Sequence, residues 1–92
     1  MKNIIYILLL VTSLGFSQND QLFEKANSLY NSEQYSEAIQ VYDQILSTNN
    51  HSADLYFNKA NAYYKLNRIA ESVYNYEKAL QLDPSNEDVL TN

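Results

Sequence analysis

The stretch Asp54-Leu55-Tyr56-Phe57-Asn58-Lys59-Ala60-Asn61-Ala62-Tyr63-Tyr64 restates Asp20-Gln21-Leu22-Phe23-Glu24-Lys25-Ala26-Asn27-Ser28-Leu29-Tyr30 at an offset of 34 residues. Asp, Phe, Lys, Ala, Asn and Tyr recur at equal positions. The match continues with Glu37 and Glu71, Tyr42 and Tyr76, and Leu46 and Leu80. Near matches join them, among them Leu29 with Tyr63, Ala38 with Ser72, and Ile39 with Val73. Self-similarity at a period of this size marks a stacked repeat, in which each unit buries its apolar face only against its neighbours. The units run 19–52 and 53–86, and Asp88 on Asp54 starts a third at 87.

Each unit reads as two helices. Tyr56, Ala60, Tyr63 and Tyr64 recur three or four apart, and so do Val73, Tyr76, Ala79 and Leu80. That spacing is one face of an α-helix. Leu66-Asn67-Arg68 lies between the two sets, with Asn suited to a left-handed turn. Asp83-Pro84-Ser85-Asn86 ends the second helix, since proline cannot continue it. The first unit turns at Ser32-Glu33-Gln34, with Ser36 expected as the next N-cap, and ends at Thr48-Asn49-Asn50. The expected class is all-α. Gly and Pro occur once each, which leaves little material for hairpins or Gly-rich loops.

These residues resemble the tetratricopeptide-repeat (TPR) family, a solenoid of helix-turn-helix units. In the second unit the resemblance rests on Tyr56, Ala60, Tyr63, Ser72, Tyr76, Ala79 and Pro84; in the first, on Leu22, Ala26, Leu29, Tyr35, Ala38, Tyr42 and Leu46. The first unit departs at Ile45, where a small residue is usual, and at Asn50, where Pro is usual. The resemblance implies a non-catalytic scaffold that holds a partner protein or peptide in a concave groove. The residues it places there are Phe23, Asn27, Tyr30 and Asn31, then Phe57, Asn58, Asn61, Tyr64 and Lys65, with Asp20, Glu24 and Asp54 beside them. Tyr42 and Tyr76 are expected in the core, and Gln40 and Asn75 on the outer face. A carboxylate clamp is not expected, because Phe23 and Phe57 stand where its Lys would be. The runs 55–66, 75–80 and 83–88 look like the TPR components of the Bacteroidetes aerotolerance (Bat) operon. That likeness implies the cell envelope and partners of the von Willebrand A type. Self-association, or service as an accessory region of a larger envelope protein, are the alternative roles.

Residues 1–17 differ in kind. Lys2 precedes the apolar run Ile4–Val11, and Gly15 and Ser17 are the small residues of a cut before Gln18. This is the three-part secretory signal, which places residues 18–92 in the periplasm or envelope of a bacterium. The run is shorter than the roughly 20 residues of a membrane span; an uncut signal acting as an anchor and a buried core helix or strand are the alternatives. A third unit that stops at Asn92 reads as part of a longer protein.

Little else suggests chemistry. There is no Cys, so no disulfide or thiolate site is available. His51 is the single His and has no ligand partners at short spacing, which argues against a metal site or a catalytic base. Asn50-His51-Ser52 is a glycosylation sequon in form only. Net charge is −5, without the basic stripe that nucleic acid requires. No cofactor or small-molecule substrate is expected. Asp20, Asp54 and Glu87-Asp88 read as helix-start acids, favoured there by the helix dipole.

Overall fold

The computed structural model describes residues 17–85. The expected export signal before Ser17 and the third unit from Glu87 lie outside the described residues. Four helices follow in order: α1 (Gln18–Asn31), α2 (Tyr35–Ser47), α3 (Ala53–Lys65) and α4 (Ile69–Leu82). The main interfaces pair α1 with α2 and α3 with α4, and α2 packs on α3 to join the pairs. The fold is an all-α helical repeat. None of the described helices is long and apolar enough to cross a membrane.

The tight turns come from the helix ends. Glu33 and Asn67, one repeat apart, both take left-handed backbone at φ 64° and 61°. After α1, the Gln34 N–H reaches Leu29 O at 2.8 Å and the Glu33 N–H reaches Tyr30 O at 2.9 Å. After α3, Arg68 and Asn67 repeat the pattern on Tyr63 O and Tyr64 O, each at 2.9 Å. This crossed pair is the Schellman motif, which satisfies two carbonyls that the helix end leaves free. Asn67 meets the left-handed expectation; Glu33 does the same work with a side chain less suited to it.

The motif also corrects one N-cap. Ser36 lies inside α2, because the reversal delivers Gln34 directly to the cap position, where its side chain makes no capping bond. Serine caps occur instead on the first helix of each pair. Ser17 Oγ accepts from the Asp20 N–H at 3.1 Å, and Ser52 Oγ accepts from the Leu55 N–H at 3.2 Å. Pro84 sits two residues past the end of α4, as its lost N–H requires.

Small residues stand where helices cross. Ala26, Ala38, Ala60 and Ala79 are all fully buried. Ser72 replaces the alanine of the first unit, and its hydroxyl donates to Ala60 O at 3.0 Å, so its burial leaves no unmet donor. Ile45 is buried in a core cluster with Ala26, Ala38, Val41, Tyr42 and Leu55. The larger side chain is accommodated at the junction of the two units, where Leu55 of α3 meets it. Lys59 of α3 also pairs with Asp43 of α2 at 2.6 Å.

Asn75 corrects another expectation. It is only 3% exposed, not an outer-face residue. It occupies the position of Val41 in the repeat, which also faces inward and is 6% exposed.

Candidate protein-binding groove

The first helix of each unit carries an Asn, and the second helix a Tyr 15 residues later. Both pairs close. The Tyr42 hydroxyl donates to Asn27 Oδ1 at 2.6 Å, and the Tyr76 hydroxyl donates to Asn61 Oδ1. Tyr42 is fully buried. Burial pushes its hydroxyl up to about 12, with nearby Tyr30 adding to the shift. Burial likewise raises Tyr76 above its usual value. Both hydroxyls therefore keep their protons and remain donors at neutral pH.

A cleft of about 300 Å³ opens beside the first pair, lined by Asn27, Tyr30, Asn31, Tyr42, Asn58 and Asn61. A second cleft of about 300 Å³ is lined by Asn61, Tyr64, Lys65 and Tyr76. Those four are the repeat equivalents of Asn27, Tyr30, Asn31 and Tyr42, so the second cleft is the first one moved along by one unit. The first is bounded by neutral polar groups. The second gains one cation, Lys65, whose charge also partly offsets the raising of Tyr30 by burial.

The residues expected in the groove are therefore brought together unevenly. Asn27, Asn58 and Asn61 are half-buried in the cleft walls, while Asn31 and Lys65 are exposed. Tyr64 stands out at 60% exposed. Tyr30 is half-buried, with its ring edge-on to Tyr35 at 5.1 Å. Phe23 and Phe57 are not free groove contacts. They are half-buried, with Phe23 edge-on to Tyr42 at 5.9 Å and Phe57 tilted against Tyr76 at 5.7 Å. Phe23 packs against the core cluster, and neither ring lines the two Asn–Tyr clefts. Acids border the Phe23 end, where Asp20 and Glu24 flank a further opening.

Tyr42 and Tyr76 belong to the site as well as to the core, which the sequence reading missed. The signal was the recurrence of both Asn and Tyr at one offset, since two polar groups repeated together can be partners. His51 is exposed, stacks on Tyr56 at 5.9 Å and shares a hydrogen bond with its hydroxyl at 2.7 Å. Among the described residues no three His, Cys, Asp or Glu side chains converge as metal ligands would.

Comparison with protein families gives two matches. A family model described as tetratricopeptide repeat matches residues 53–86, and another described as TPR repeat matches residues 26–67. Comparison with curated proteins gives no match.

Proposed function

We propose that this chain, built of tetratricopeptide repeats that in general mediate protein–protein interaction and are typically non-catalytic, is a scaffold holding an extended segment of a partner protein in the groove between α1 and α3. The observation that carries the reading is the duplicated cleft. The same Asn, Tyr and Tyr recur around two openings of equal volume one repeat apart. A segment lying across both meets the same chemistry twice.

The test is crosslinked capture from intact cells, with and without the groove. Phe57→Ala combined with Asn61→Ala is expected to weaken partner binding by about 2–4 kcal/mol, the range of central anchors. Gln40→Ala, on an exposed site of α2, is expected to change it by less than about 0.5 kcal/mol. Unchanged capture by a folded double variant would move the binding surface elsewhere.

The signal pattern of residues 1–17 supports placing this scaffold in the bacterial envelope. The likeness of residues 55–66, 75–80 and 83–88 to the Bat-operon components supports a von Willebrand A-type partner there. N-terminal sequencing of envelope protein tests the first point: a chain that starts at Gln18 agrees with it, and a purely cytoplasmic chain does not. Co-purification with such a partner tests the second. Self-association is the second reading. It is favoured by the α4 face, where Ile69 and Val73 are each 48% exposed. Sedimentation over a concentration series tests it.

A further inference from the structure

Asn27 and Asn61 differ from a freely rotating asparagine. A carboxamide in a groove ordinarily offers one acceptor and two donors, and it can present either end to a ligand. Here the oxygen is spoken for. Each Oδ1 accepts the hydroxyl proton of Tyr42 or Tyr76. The opposite orientation is costly, especially for Tyr42. Its hydroxyl is fully buried, holds its proton, and has no other acceptor among the described residues. Flipping the amide would leave that proton without a partner away from water, a loss that outweighs an ordinary hydrogen bond. Neither Nδ2 is bonded to another protein group among the described residues, and both asparagines line the cleft.

We infer that Tyr42 and Tyr76 are positioning residues that fix the two asparagines as one-way donors, so that the groove selects a partner segment by its main-chain carbonyl oxygens. This deepens the groove reading above and rests on it. The acceptor class follows from charge and from backbone chemistry. No cation lines the first cleft, and Lys65 acts on it only from the neighbouring opening, so a carboxylate would be poorly compensated there, whereas a neutral carbonyl carries no such cost. A helical partner has spent its carbonyls internally, and an extended one has not. Side-chain sequence therefore matters less at these two points than an extended backbone.

The experiment uses the full chain and peptides selected against it from a random displayed library, with binding mapped by NMR. Three changes follow on a selected peptide and on the protein. Replacing single peptide carbonyls by thioamides, which accept weakly, is expected to cost at least tenfold in affinity at two positions. N-methylation, which removes peptide donors, is expected to be tolerated at those same two positions. Asn27→Asp with Asn61→Asp keeps an acceptor for each Tyr hydroxyl, removes the donors and adds a negative charge at each point. It is expected to stay folded, with some loss of melting temperature at neutral pH from the added charges, and to lose at least tenfold in affinity. Tyr42→Phe and Tyr76→Phe are expected to move the side-chain amide resonances of Asn27 and Asn61, a change that a packing role alone would not make. Groove-bound peptides that tolerate thioamides but fail on N-methylation would overturn the donor polarity and leave the groove reading standing. Equal binding by the Asp variant would do the same. Selected peptides that perturb only resonances away from the groove, or an empty selection, would overturn both.

Discussion

Asn75 Oδ1 is buried without a hydrogen-bond partner, while its Nδ2 donates to Glu71 O at 2.7 Å. A buried acceptor left unmet costs about 1–3 kcal/mol, and the bond its amide makes recovers about 1 kcal/mol. Val41, at the same place in the first unit, shows that the position accepts an apolar side chain of similar size. Asn75→Val is therefore expected to stabilise the protein by about 1 kcal/mol, or roughly 4–8 °C in Tm for a domain of this size. Calorimetry checks it, and a fall in Tm would mean that Oδ1 has a partner in solution. The same residue cannot serve as an inert outer-face control for binding, because any change there acts first on packing. Gln40 remains suitable.

At the scale of the helices, the alanine pairs set how closely the two members of a unit approach. Ala60 is fully buried and its carbonyl takes the Ser72 hydroxyl, so it has neighbours on the side chain and on the backbone. Ala60→Leu is expected to cost about 1–3 kcal/mol from overpacking. Lys65→Leu, at an exposed position on the same helix, is expected to change stability by less than about 0.5 kcal/mol. Denaturant melts of the two variants measure the contrast, and equal shifts would contradict the observed register. The start of α1 has its own dependence. Ser17 caps it, so a chain that started at Gln18 would lack a cap of the kind typically worth about 1 kcal/mol.

Across the whole molecule the two units are alike in sequence and unlike in cover. Ile39 on α2 is 7% exposed, whereas its equivalent on α4, Val73, is 48% exposed. In a solenoid each unit draws stability from its neighbours. The α2 helix has α1 on one side and α3 on the other, while α4 among the described helices has only α3 as a main contact. Amide hydrogen exchange is therefore expected to be slowest in α2 and faster in α4. Equal protection in the two helices would mean that something covers the α4 face in solution.

The 34-residue period, the helical spacing of the apolar residues and the single Pro were enough to establish two helix pairs and their alanine crossings. Local signals of this kind act over three or four residues, or repeat at a fixed step, and both are visible along a chain. What needed the folded molecule was contact between residues distant in sequence. The repeat pattern placed Asn27 and Asn61 in a groove and Tyr42 and Tyr76 in a core, but only the packing of the two helices in each unit brought each hydroxyl onto an amide oxygen. It also turned Phe23 and Phe57 partly inward. Asn75 was expected on the outer face, yet its place on the helix was already occupied by Val41 one unit earlier. Burial follows position when the neighbouring helix is fixed by its other contacts, and a lone polar side chain does not reverse that.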